Sequence, residues 1–269
     1  MHPLTIKSLF IFADYLGKIL VLSNYLHTMA VTMKSSDRVL ELTDFPDEII
    51  LKFFACLDLK DLLKCGQVAK RFRSISHDQS LWQRIDLSGQ NISTVFIQFI
   101  LERGCKYLDL SHSRMFDLKS TQNIFNNCDQ LTELNLEDLN ISVKESFFLV
   151  QNLTPKLKKI NLGALFFKDP DKHIKILVER CNQLQELHME CTVPITDSVI
   201  TMIIEGLKNT LQVLDLYPCE EISHPKLLEL QVMPKLTILN IRYIRKRKYT
   251  RRRKIGPLRN SSGFGFVLL

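Results

Sequence analysis

Residues 128–136 read CDQLTELNL and residues 181–189 read CNQLQELHM. Both segments put a cysteine, two leucines and a final apolar residue at the same offsets. Searching outward, the end of the pattern recurs as IDL at 85, LDL at 108, LNL at 134, INL at 160, LHM at 187, LDL at 214 and LNI at 239. The last apolar residues of these triplets are Leu87, Leu110, Leu136, Leu162, Met189, Leu216 and Ile241, spaced by 23, 26, 26, 27, 27 and 25 residues. Self-similarity at such a period marks one supersecondary unit stacked many times over. An apolar–polar–apolar triplet suits a strand with alternating faces. Between triplets, Ile174, Leu177, Val178 and Cys181, and again Val199, Ile203 and Leu207 after Thr196-Asp197, fall at helical spacing.

Each unit is therefore strand, turn, helix. One strand and one helix enclose no core, whereas stacked units share one. The pattern resembles the leucine-rich repeat, and Cys128 and Cys181 resemble its cysteine-containing class. The expected fold is α/β: a curved solenoid over residues 83–241 with parallel strands on the concave face.

Ahead of the repeats, residues 42–82 read LTDFPDEIILKFFACLDLKDLLKCGQVAKRFRSISHDQSLW. From Asp47, the residues Ile49, Ile50, Phe53, Phe54 and Leu57 make one helical stripe directly after Pro46. Asp58 suits the N-cap of a second helix carrying Leu62 and Leu63, and Val68, Phe72 and Ile75 extend an apolar face towards Trp82. About 40 residues are close to the lower limit of independent folding, so part of this surface is expected to face a partner.

The run FPDEIILKFF, LDLKDLLKCGQVAKRF, SLW resembles an F-box without a gap, the module by which substrate receptors dock onto the Skp-type adaptor of cullin-RING ubiquitin ligases. The resemblance is nearest to the leucine-rich-repeat branch that includes S-phase kinase-associated protein two, although Phe45 stands where leucine is usual and Phe72 where tryptophan or tyrosine is usual. It implies adaptor contacts at Phe45, Pro46, Ile49, Leu51, Leu59, Leu62, Val68 and Trp82. It also implies a cullin bound through the adaptor, and substrates that include phosphorylated cell-cycle proteins, sometimes with a cyclin-kinase accessory subunit. The resemblance runs from residue 42 to 241 with fewer repeats than that branch, and the branch's C-terminal tail has no counterpart.

Alternation along each strand places the residue between the triplet's apolar pair on the open face. This column reads Asp86, Asp109, Asn135, Asn161, His188, Asp215 and Asn240, flanked by Glu133, Glu137, Glu186, Glu190 and Tyr217. Candidate substrate contacts are Asp109, Asn135, Asn161, Glu186, His188, Glu190 and Asp215. Acids clustered on the strands of Glu133 and Glu186 favour a basic substrate segment.

The formal net charge of +7 is unevenly distributed, because residues 242–269 hold ten Lys and Arg and no Asp or Glu. The preceding body is slightly acidic, so neither nucleic acid nor a membrane is an expected partner. The terminal segment reads as a basic tail with the composition of a nuclear import signal, giving an expected nuclear and cytoplasmic location. Residues 1–41 read as an extension and linker, in which Asp14 and Lys18 interrupt the apolar run MHPLTIKSLFIFADYLGKILVLSNYLHTMAVTM, with Met29 and Met33 as further possible starts of translation. Seven cysteines without a C-x-x-C pair favour a reducing compartment.

Cys181, His188 and Cys191 come nearest to a zinc set, but Cys181 holds a repeat core position and no fourth ligand stands near, so no metal or cofactor is expected. No nucleophile-elbow, phosphate-loop or H-E-x-x-H motif is present. The expectation is a non-catalytic receptor subunit, with a non-ligase binding scaffold as the alternative.

Overall fold

A computed structural model describes residues 42–116, 124–125, 128–190, 195–217, 221–231 and 233–241. The N-terminal extension, the basic tail, Cys191 and Cys219 lie outside them. Two compact units divide between Leu81 and Trp82. Among the described residues no helix is long and apolar enough to cross a membrane.

In the first unit, a short 3-10 turn at Leu42–Asp44 leads into helix α1 (Asp47–Phe54). Pro46 holds φ at −59° just outside the helix, and Asp47 and Glu48 lie at the positive end of its dipole. Asp58 caps helix α2 (Leu59–Val68), accepting from the Asp61 amide at 2.8 Å as the sequence predicts. Ala69, extended at φ −149°, then breaks the chain so that helix α3 (Lys70–Ser76) folds back on α2. Gly66 makes that approach possible, since a Cβ there would meet Ser76 Oγ at 2.7 Å. Phe54 and Phe72 seal the interior edge to face, with ring centroids 5.8 Å apart.

The second unit is built on strands β1 (Arg84–Asp86), β3 (Tyr107–Asp109), β5 (Glu133–Asn135), β6 (Lys159–Asn161), β7 (Glu186–Glu190), β8 (Val213–Tyr217) and β9 (Ile238–Ile241). They form one parallel sheet in the order β1-β3-β5-β6-β7-β8-β9. All seven triplets therefore supply strands. Helices α4 (Thr94–Leu101), α5 (Val143–Gln151), α6 (Pro170–Arg180), α7 (Asp197–Leu207) and α8 (His224–Gln231) return the chain between strands. The register puts Ile85, Leu108, Leu134, Ile160, Leu187, Leu214 and Leu239 in one row, all buried. Ile174, Leu177 and Val178 of α6, with Val199, Ile203 and Leu207 of α7, close the core as their spacing predicts. A second parallel pair, β2 (Asn91–Ser93) with β4 (Arg114–Phe116), was not foreseen.

Cys105, Cys128 and Cys181 are all buried, and their thiols donate to the carbonyls of Tyr107, Ile124 and Thr154. Burial pushes the three thiols up to about 12, about 11 and about 12, which leaves them protonated and inert.

Helices α6 and α7 approach closely at Gly206, where an added Cβ would lie 2.7 Å from Val178 Cβ and 2.9 Å from its Cγ2. Gly206→Ala improves intrinsic helix propensity by about 1 kcal/mol. The clash falls on a branched side chain close to its own backbone, so overpacking wins. The expected outcome is a net loss of about 1–2 kcal/mol, read as a lower urea midpoint with unchanged slope.

Candidate docking face and recognition face

The adaptor residues implied by resemblance fall into two groups. Pro46 and Val68 are exposed, and Leu51 and Leu59 are half-buried beside half-buried Phe53, Leu57 and Leu63. These side chains have apolar area to give a partner. Phe45, Ile49 and Leu62 are already buried, Phe45 meeting Phe53 edge to face at 6.3 Å. Their task is to hold the open set in place.

Trp82 is placed differently from the other seven. It is fully buried and belongs to the second unit, packed edge to face on Phe99 at 5.4 Å. The Arg103 guanidinium lies 5.1 Å from its ring and 3.4 Å from that of Phe99. It anchors the first repeat and has no surface to offer an adaptor.

Sequence reasoning missed Arg71. From α3 its guanidinium donates to Asp47 Oδ1 at 2.8 Å, to the Thr43 carbonyl at 2.7 Å and to the Phe45 carbonyl at 2.6 Å. One planar group thus fixes the Phe45-Pro46 corner. A lysine ammonium cannot reproduce this fork. Arg71→Lys is expected to weaken adaptor binding about tenfold while changing the unfolding midpoint little; binding titration beside thermal melting checks it, and equal affinities would remove Arg71 from this role.

On the sheet of the second unit, Asp86, Asp109, Asn135, Asn161, His188, Asp215 and Asn240 stand in register as one column. Its two halves differ. Asp86, Asp109, Asn135 and Asn161 each accept from the amide two residues on, that of Ser88, Ser111, Glu137 and Gly163, at 2.9 to 3.1 Å. The residue after each of those amides, Gly89, His112, Asp138 and Ala164, is left-handed, with φ between 49° and 68°. Short polar side chains are suited to this local turn. In these four repeats the column therefore terminates the strand, and its outward atoms bond along the sheet: Asn135 donates to Asp109 at 3.0 Å and Asn161 to Glu137 at 3.1 Å. Burial alone would raise the Asp109 carboxyl, but bonds from Ser111, Asn135 and Tyr107 hold it below the usual range. Tyr107 is pushed up to about 12 by burial and by donating to Asp109.

The strands of His188 and Asp215 are five residues long and continue past the column. His188 Nδ1 lies 3.7 Å from Asp215 Oδ2 and its Nε2 lies 4.0 Å from Glu186 Oε2. Bonding to Asp215 raises the imidazole above its ordinary value, against the opposing effect of burial. Asp215 is itself buried, with Asn240 donating to it at 3.5 Å.

Lys159, also missed in the sequence, stands 3.0 Å from Glu186 and 3.9 Å from Glu133, so its positive charge offsets part of the negative charge of both. The Glu186 bond raises the lysine's own affinity for its proton. Glu186, His188 and Glu190 are half-buried, and Glu190 lies opposite Tyr217 in the β7–β8 register. Of the three residues that come nearest to a zinc set, Cys181 sits in the core, His188 sits on the sheet's polar face, and Cys191 lies outside the described residues; among the described residues no cluster of metal-ligating side chains occurs.

Residues 42–88 match the F-box-like family. Among solved structures the chain is similar to a chain in the crystal structure of the Rad7 and Elc1 complex in yeast, at 19% identity and a TM-score of 0.37, over 76% of this chain and 46% of that one. The chain thus spans less than half the length of that relative.

Proposed function

We propose that this chain is the substrate-recognition subunit of a Skp–cullin–F-box ubiquitin ligase. The first unit docks a Skp-type adaptor, and the sheet face of the second chooses the substrate. The observation that carries the reading is the F-box-like match over residues 42–88 on helices that leave Pro46, Leu51, Leu59 and Val68 open to a partner. The chain positions a protein for chemistry done by another subunit of the assembly. Co-purification of the full chain with a Skp-type adaptor and a cullin tests it. Expression with the adaptor that yields no complex would leave the non-ligase scaffold as the better reading.

Within this proposal the chain resembles S-phase kinase-associated protein two, with phosphorylated cell-cycle proteins as substrates and a cyclin-kinase accessory subunit as a co-ligand. The half of the strip around Glu186, His188, Glu190 and Asp215 is where substrate contact is proposed to concentrate, because there β7 and β8 run on for five residues and the acids gather beside one another. A basic segment of the substrate suits it.

The protein is further proposed to occupy nucleus and cytoplasm, with ten positive charges in residues 242–269 as the import signal. A tagged chain lacking residues 242–269 is expected to shift towards the cytoplasm with adaptor binding intact. An unchanged distribution under the microscope would remove the import role.

A further inference from the structure

The sheet face is not the only exposed row that crosses the repeats. Where the chain passes from strand to helix, four consecutive repeats each leave one apolar side chain in solvent. These are Val95 at 67% exposure, Phe116 at 46%, Val143 at 40% and Phe166 at 70%. The segments that carry them are neighbours. Phe116 is paired with Ser93, two residues before Val95. Arg114 bridges to Asn140, whose amide donates to the Ser113 carbonyl at 2.8 Å. Ser146 of α5 donates to the Phe166 carbonyl at 3.1 Å.

Phe166 is held in this position. Leu165 and Phe167 on either side of it are buried, and Phe167 stacks on the buried His173 ring at 4.5 Å and 26°. His173 in turn meets Phe147 edge to face at 5.0 Å. The backbone is thus pinned while the Phe166 ring stays in solvent, an arrangement in which a partner finds its anchor already ordered.

Among the described residues beside the row, positive charges outnumber negative ones. Arg114, Lys144, Lys168 and Lys172 are exposed there. Of the acids, Glu145 accepts from the Ser142 amide at 2.6 Å in a capping box, and Asp169 caps α6 through the Lys172 amide at 3.1 Å. Asp171 lies in the first turn of α6. All three carboxylates sit on the positive ends of α5 and α6, where the helix dipoles offset them. The helix dipoles do not offset the basic side chains, of which Lys144 lies 5.9 Å over the Phe148 ring and Lys172 4.6 Å over that of Phe147.

We propose that this edge of the repeats docks an acidic segment of a partner protein, with apolar side chains alternating with Asp and Glu. It would be a second contact surface, separate from the sheet face. One apolar side chain from each of four successive repeats, flanked by lysine and arginine, fits a linear segment better than a plane, which is why a protein partner is favoured over an anionic lipid surface.

The probe is a fluorescein-labelled peptide of about 14 residues alternating Glu or Asp with Leu or Phe, titrated into the full chain by anisotropy; the comparison peptide has Lys in place of every acid. The acidic peptide is expected to bind and the lysine peptide not. Phe116→Ser with Phe166→Ser, and separately Lys144→Glu with Lys172→Glu, should each weaken binding about tenfold or more, the second pair also reducing its salt dependence. Glu186→Lys with Glu190→Lys should leave it unchanged. Circular dichroism checks that the serine pair folds, and the charge pair decides the matter if it does not. Absent binding, equal binding of both peptides, or variants indistinguishable from wild type would each overturn the proposal. Sedimentation with phosphatidylserine vesicles in place of peptide binding would overturn it in favour of a lipid surface.

Discussion

Pro46→Ala combined with Leu59→Ala is expected to lower affinity for the Skp-type adaptor about a thousandfold, the sum of two anchors at about 2 kcal/mol each. The two positions belong to different elements. Pro46 is exposed at the entrance to α1, where Arg71 holds the backbone through the Phe45 carbonyl, and Leu59 is the half-buried first residue of α2 beside the Asp58 cap. Neither truncation opens a large cavity, so helix content and the unfolding midpoint should stay near wild type. Pull-down and calorimetric titration against the purified adaptor provide the measurement. Wild-type affinity in the double variant would show that this face is not where the adaptor sits. Trp82→Ala forms the contrast. It removes a fully buried ring packed on Phe99 and Arg103, so it should cost about 3–5 kcal/mol of stability in the second unit whatever its effect on docking.

Reversing Glu186 and Glu190 to lysine is expected to slow capture of a basic substrate segment about a hundredfold at low ionic strength, with the difference shrinking as salt is added. The effect at Glu186 has two sources. The variant loses an acid, and it sets a second ammonium against Lys159, which in the native protein lies 3.0 Å from that carboxylate. His188 loses a neighbouring charge as well, although Asp215, the larger cause of its raised pKa, remains. Pull-down and ubiquitylation of a candidate substrate, beside a Glu205→Lys change at an exposed position of helix α7, separate the faces. If Glu205→Lys damages capture and the strand-side pair is silent, the recognition face is on the helices. Lys159→Gln offers an internal check: it frees Glu133 and Glu186 and should strengthen capture of the same basic segment.

The period of the leucine triplets determined the repeat unit, its strands, its parallel order and the column of residues facing outward. All of these follow from where apolar side chains must go, and side-chain alternation is a local property of a strand. The Asp58 cap and the stripes of α1, α6 and α7 were legible for the same reason: they depend on residues within one or two helical turns. Three things were decided only by tertiary structure. Trp82 closes the first-unit sequence yet packs in the second unit, because burial is settled by whichever surface encloses the ring. Arg71 and Lys159 acquire their roles from partners about 25 residues away, beyond any local periodicity. The column divides because in four repeats it closes strand-exit turns, where the backbone turns left-handed at Gly89, His112, Asp138 and Ala164, while β7 and β8 run on past it. Four different residue types occupy that position, so composition conceals a conformation that cross-repeat hydrogen bonds impose: each of these amides donates to a carbonyl of the next repeat, at 2.9, 2.8, 2.8 and 2.6 Å in turn.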